Sequence, residues 1–198
     1  MRLVLLSSLF AASALFAAES ADKSAGRPDA PVTLEVFSDF QCPHCAKLHF
    51  GALKQALGDC VASGKVRIIY RDFPLPQHQY ARKAAQFAGA AARTGNYERM
   101  CDALFRTQEA WERSGDIDGS LSKELTPAEL ARVHKILSDP KSLAEINREI
   151  DADLVLGAKI PLAETPTMIV SGGGKRYPIR GDIRYDYLKQ LIDSLPVK

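Results

Sequence analysis

The 198-residue sequence is poor in cysteine, histidine and tryptophan, with four, four and one of each. One Cys-x-x-Cys pair is present, Cys42 and Cys45, and there is no second. Cys60 and Cys101 stand far apart, and His49, His78 and His134 form no His-x3–5-His unit. A structural zinc site needs four ligands at such spacings, so no metal site is expected. Runs of basic residues are also missing. A net charge of +2, with 25% charged and 46% hydrophobic residues, is an ordinary globular balance that points to no nucleic acid and no anionic membrane surface. There is no internal repeat and no low-complexity tract. Beyond the N-terminus, no hydrophobic run is long enough to span a membrane.

The N-terminus does carry such a run. Arg2 precedes about 14 apolar or small residues, 3–16, and then the chain turns polar at "ESADKSAGRPDAP". That length is short for a membrane span and suits the apolar region of a secretory signal. Ala18-Glu19-Ser20 offers small residues at cleavage offsets, as does the earlier Ala12-Ser13-Ala14. An uncleaved single anchor is the rival reading. No cysteine follows the run, so there is no lipid attachment point. The expected organisation is a signal over 1–18, a linker over 19–30 and a periplasmic or otherwise exported mature part. Outside the cytosol disulfides persist, and all four cysteines lie in the mature part, where three pairings can be drawn.

"APVTLEVFSDF" predicts a strand over 32–38, after Pro31. From Pro43 the apolar positions Cys45, Leu48, Ala52 and Ala56 recur at helical spacing. "KVRIIYRDF" is a second strand, ended by Pro74 and Pro76, so the opening is strand–helix–strand, a βαβ unit if the strands are parallel. A helical stretch follows: 78–93, then 97–111, then a polar loop "SGDIDGSLSKEL". Thr126, Pro127 and Glu129 form a capping-box signature, and Asp139 with Pro140 opens the next helix, with Gly157 suited to its end. "TMIV" and "KRYPIR", joined by "SGGG", predict a hairpin whose second strand lies at an edge because of Pro178. An amphipathic helix closes the chain. An α/β unit therefore runs over 31–75 and 161–198, interrupted by helices over 76–160.

For Cys42 and Cys45, a structural staple gains little: closing a four-residue loop is worth only ~2 kcal/mol against ~4 for a loop between Cys60 and Cys101. Redox chemistry fits better. Cys42 falls at a helix N-terminus with Pro43 at the first turn, where free N–H groups and the helix dipole favour thiolate over thiol. His44 adds a ring donor, and a positive charge if protonated. Cys45, one turn on, begins the apolar stripe and is the more buried partner.

"EVFSDFQCPHC", the helical insertion, and "ETPT" before a hairpin and final helix resemble the DsbA-like thiol-disulfide oxidoreductases, over nearly all of the mature chain. The resemblance implies a thioredoxin-like α/β fold interrupted by an all-α domain, with Cys42 as nucleophile and Cys45 as its partner. It implies that Pro166 is cis after Thr165, in a loop that faces the cysteines and offers its backbone to an extended substrate. The family's best-known oxidases often have Val before that proline; Thr165 is a departure. Glu35 matches an acidic residue beneath the active site in relatives, where a buried carboxylate could relay the proton of Cys45; a strand-face Glu reaching solvent or an Arg is the competing expectation. His49, His78 and His134 are read as surface packing. Cys60 and Cys101 are either a structural disulfide tying the insertion to the core or two separate buried thiols.

An oxidase needs a reduced form stabilised over its disulfide, and His44 and the helix end act in that direction. His44→Ala should then make the couple more reducing. An isomerase of this family usually has a separate N-terminal domain, for which too few residues precede Val32. A reductase also fits the motif, and a peptide-binding chaperone would leave the cysteines idle. No cofactor beyond the Cys42–Cys45 disulfide is expected. The expected partners are extended cysteine-bearing exported polypeptides in an apolar groove and, as relatives imply, a quinone-linked membrane protein that reoxidises a monomeric enzyme.

Overall fold

The computed structural model describes residues 23–196 apart from 161 and 163; the apolar leader over 1–18 lies outside these. The first long strand, β2 (Val32–Ser38), alternates buried and half-buried positions, as a sheet packed on both faces requires. It is central. To one side lies the parallel β3 (Val66–Asp72), and to the other the antiparallel β4 (Thr167–Gly172). β5 (Lys175–Arg180) closes that side as an edge strand, where Pro178 costs no ladder bond. Its turn from β4 uses Gly173 and Gly174, both at positive φ (57° and 77°), which a two-residue hairpin turn of matching twist requires.

The other edge departs from expectation. Residues 19–30 are not simply a linker: β1 (Ser24–Ala25) pairs antiparallel with β3, giving the order β1-β3-β2-β4-β5. The parallel β2–β3 pair requires a crossover. It is made by α1 (Pro43–Leu48), which runs on through two π turns (His49–Leu53 and Leu57–Val61) flanking α2 (Lys54–Ala56).

Between β3 and β4 lie α3 (Ala81–Ala92), α4 (Tyr97–Arg106), α5 (Gln108–Ser114), α6 (Ile117–Leu121), α7 (Pro127–Leu137) and α8 (Pro140–Lys159); α9 (Tyr185–Ser194) ends the fold. The capping box at Thr126 forms with Glu129, and Asp139 accepts from the Ser142 N–H. The helix expected over 97–111 is broken at Thr107, whose hydroxyl bonds back to the Ala103 carbonyl at 2.8 Å. The polar loop expected after it contains α6, because Asp116 caps the Gly119 N–H and Ile117 and Leu121 are buried.

Gly157 does not end α8, which continues to Lys159. The Phe73 ring lies on it instead: a Cβ there would meet Phe73 Cε2 at 2.4 Å. Gly157→Ala should therefore cost roughly 1–3 kcal/mol, as overpacking usually does, read as a lower urea midpoint at unchanged slope. An unchanged midpoint would show that Phe73 yields freely.

Candidate functional site

Cys42 is the N-cap of α1, at φ −87° and ψ 121°, with Pro43 in the first turn. The strand end, the turn and the helix end thus converge on its sulfur. Cys42 Sγ lies 3.3 Å from the Thr165 carbonyl oxygen, to which it donates when protonated, across the cis Thr165–Pro166 bond. The Thr165 hydroxyl is buried with no hydrogen-bond partner. Cys42 is 6% exposed and Cys45 1%, so the nucleophile is narrowly open and its partner closed.

The two thiols titrate apart. A hydrogen bond from the Cys45 thiol holds the Cys42 pKa down at about 5, helped by the Cys45 and His44 backbone N–H groups and Thr165 and opposed by burial. Burial pushes Cys45 well up, and the neighbouring Cys42 sulfur adds to it. The dithiol therefore carries one proton, on Cys45, over a wide pH range around neutrality.

The ring of His44 is placed differently from expectation. Its Nδ1 pairs with Asp182 Oδ1 at 2.9 Å, and Lys47 also pairs with Asp182. What His44 gives Cys42 is a backbone N–H. Asp182 is held below the usual carboxylate range by Lys47 and then by His44. Beside this trio a cleft of about 450 Å³ runs between the helix and the segment after β5. Lys47, Asp182, Arg184 and Asp186 line it together with Ala52 and Ile183.

Glu35 is also corrected. Strand alternation puts it with Ile69 and Ile169, on the face opposite Val36. There it accepts from Arg71 (2.9 Å) and Arg176 (3.4 Å), so the Arg-bound expectation holds. Cys60 and Cys101 are separate buried thiols rather than a bridge. Cys60 lies 3.6 Å from the Tyr185 hydroxyl, whereas Cys101 lines a cavity with Val36 and Tyr97.

Three groups were not singled out from sequence. Asp39, with a fully buried side chain, accepts from the N–H groups of Gln41 (2.7 Å) and Leu75 (2.8 Å) and pairs with His78 Nδ1 (2.7 Å). Its own N–H donates to Cys45 Sγ at 3.4 Å, so it fixes the turn that carries both sulfurs. The insertion grips the same turn: Gln108 donates to the Phe40 carbonyl at 2.6 Å, and the Tyr80 N–H to Gln41 Oε1 at 2.8 Å. His49 is buried against Asp102, not at the surface. His134 is exposed, as expected. His49, Glu98 and Asp102 bring ligand atoms within 4.8 Å of one another, but the Lys54 ammonium already pairs with both carboxylates, at 3.4 and 2.7 Å.

Comparisons with known proteins agree with this fold. A thioredoxin family model matches residues 19–194. A Na(+)/H(+) antiporter NhaA 3 from Salinispora tropica is 33% identical over 153 residues, 76% of this chain; the chain spans only 22% of that relative's length. Disulfide bond formation protein D from Bacillus subtilis is 22% identical over 85% of this chain and 74% of its own. The crystal structure of Wolbachia pipientis alpha-DsbA1 matches with a TM-score of 0.68 at 22% identity, covering 88% of this chain and 90% of that one. The chain belongs to the thioredoxin family, in the form whose fold it shares with alpha-DsbA1, a helical domain set between the two halves of the sheet unit.

Proposed function

We propose that this chain is an exported protein thiol:disulfide oxidoreductase that works as an oxidase, donating the Cys42–Cys45 disulfide to cysteine-bearing polypeptides. The observation that carries the reading is the unequal pair at the helix end, Cys42 pushed down to about 5 and Cys45 pushed up. A substrate thiolate attacks Cys42 Sγ. The Cys42–Cys45 bond breaks, a mixed disulfide forms, and Cys45 leaves and takes up a proton. A second substrate thiolate then attacks the substrate sulfur, and Cys42 departs as a thiolate, stable as such at neutral pH. The substrate is oxidised by two electrons and the protein pair reduced by two. The Thr165 backbone beside Cys42 suits an extended substrate laid strand to strand.

The apolar run over residues 3–16 supports export, and the relative named for disulfide bond formation supports the reaction class. Reoxidation by a quinone-linked membrane protein follows from the family resemblance. Among the described residues no helix is long and apolar enough to cross a membrane.

The deciding measurement is the equilibrium constant with glutathione at pH 7. An oxidase should give a reduction potential less negative than about −180 mV, whereas a value near −270 mV marks a reductant and would overturn the reading. Cys45→Ala should accumulate mixed disulfides at Cys42 with exported proteins; a variant that captures none would favour a peptide-binding role with idle cysteines.

A further inference from the structure

His44 stands two residues after Cys42, and its backbone N–H hydrogen-bonds the Cys42 sulfur. The ring is therefore rooted beside that sulfur, yet it is engaged elsewhere. Its Nδ1 lies 2.9 Å from Asp182 Oδ1. Lys47 and then His44 hold Asp182 below the usual carboxylate range, so this carboxylate is an acceptor at neutral pH. Nδ1 then carries a hydrogen in the neutral ring as well as in the protonated one, and Asp182 receives it in both. The same carboxylate offsets any charge the ring gains.

The fold fixes where Asp182 stands. Its side chain is 16% exposed, against 66% for His44. β5 ends at Arg180, which pairs with Thr167 on β4. Gly181 follows at φ 72°, a left-handed conformation that suits glycine, and donates its N–H to the Pro166 carbonyl at 2.8 Å. Asp182 is thus bolted to the loop that brings the Thr165 carbonyl to Cys42. From α1, Lys47 holds its second carboxylate oxygen. The cis-proline loop and the helix end meet at the Cys42 sulfur, and Asp182 joins the two.

We infer that Asp182 is a positioning residue that sets the reduction potential of the Cys42–Cys45 pair by holding the His44 ring off the Cys42 thiolate. A donor aimed at Cys42 stabilises only the reduced form, because the disulfide has no anion to receive it. With its Nδ1 hydrogen spent on Asp182, the ring gives the thiolate no such bond. The charges of a protonated ring and its carboxylate largely cancel at the sulfur. The helix end and the Cys45 thiol still favour the anion, but the couple is less oxidising than a free His44 ring would make it. The role of Asp182 rests on the oxidoreductase reading above and adds to it which residue outside the motif tunes the pair.

The test is the equilibrium of each variant with reduced and oxidised glutathione at pH 7, quenched with acid, with the dithiol and disulfide forms counted by mass spectrometry. Asp182→Ala frees the ring. It should shift the equilibrium about tenfold towards the dithiol, the low end for a hydrogen bond to a charged group, which makes the potential ~30 mV less negative. His44→Ala alone should shift it by less than about twofold, since an exposed ring already paired gives the sulfur little. In the His44→Ala background, Asp182→Ala should then add nothing. Asp182→Asn keeps an acceptor for Nδ1 and loses the charge. It should shift the equilibrium roughly threefold, again only with His44 present, because a neutral acceptor holds the ring less firmly. That variant carries the test if Asp182→Ala does not fold. A shift of equal size with and without His44 would overturn the inference, because Asp182 would then act through its own charge or through the freed Lys47. An equilibrium that ignores Asp182 would overturn it too, as would a large shift towards the disulfide in His44→Ala alone. In each of these cases the protein still exchanges with glutathione and the parent reading stands. A wild-type protein that does not exchange at all would overturn the parent reading, and this one with it.

Discussion

Raising the pH from about 5 to 9 should widen the stability gap between the dithiol and disulfide forms in favour of the dithiol. The slope should be that of one proton, ~1.4 kcal/mol per pH unit. The sign follows from Cys42, an acid whose folded pKa lies at about 5 against an ordinary thiol value of 9.0. Its contribution is fully present above the unfolded pKa and is lost as pH falls through the folded one. Cys45, pushed up by burial, stays protonated in both folded and unfolded chains below its ordinary value and adds no slope in that window. The disulfide form has neither proton to lose.

The same reasoning fixes the reduction potential. Below about 5, reducing the disulfide takes up two protons for two electrons; above it, only one. The potential should therefore fall by ~59 mV per pH unit at first and ~30 mV per unit afterwards. Urea titrations of both forms at several pH values, with glutathione equilibria beside them, would check both statements. A gap that did not change with pH between 5 and 9 would mean that Cys42 is an ordinary thiol and that the helix end and the Cys45 hydrogen bond do not stabilise its anion.

What could be read from sequence, and what could not, separates by distance along the chain. The strand over 32–38, the start of α1 at Pro43, the caps at Thr126 and Asp139 and the Gly-Gly hairpin are set by neighbouring residues, and each forms as expected. So does the Cys42 N-cap, because the helix end that favours its thiolate is local. The partners of the charged side chains are not local. His44 meets Asp182 across 138 residues, His49 meets Asp102 across 53, and Asp39 meets His78 across 39. An acidic residue between a strand and a helix is the one signal that could have marked Asp39. Glu35 shows the reverse error. The resemblance supplied a role, but strand alternation seven residues before Cys42 puts this side chain on the other face, where Arg71 and Arg176 wait. A motif carries its residue types from relatives; the register of the strand decides which way they point.

Lys23 gives the second large effect. In sequence it sits in a polar stretch that reads as linker, yet its side chain is 11% exposed, between two aspartates 49 and 130 residues away. Its ammonium lies 2.7 Å from Asp72 and 3.0 Å from Asp153, whose side chains are 4% and 6% exposed. Asp153 has other donors, the Asp72 N–H at 3.0 Å and Arg71 at 3.2 Å. For Asp72, Lys23 is the cation that opposes burial, and even so burial keeps its carboxyl above the usual range. Lys23→Met should therefore leave an uncompensated buried charge and destabilise the fold by about 3–5 kcal/mol. A carboxyl raised on folding loses stability as pH rises through its folded pKa. Removing Lys23 raises Asp72 further, so the damage should be largest near neutrality and shrink as acid protonates Asp72. Adding Asp72→Asn should restore most of the loss, because the site then holds no unpaired charge. Urea unfolding of wild type, Lys23→Met and the double variant at pH 5 and pH 8 tests this directly. A loss below about 1 kcal/mol, the range of an exposed ion pair, would show that Lys23 merely rests on the surface. A loss equal at both pH values would show that Asp72 is not the group left bare.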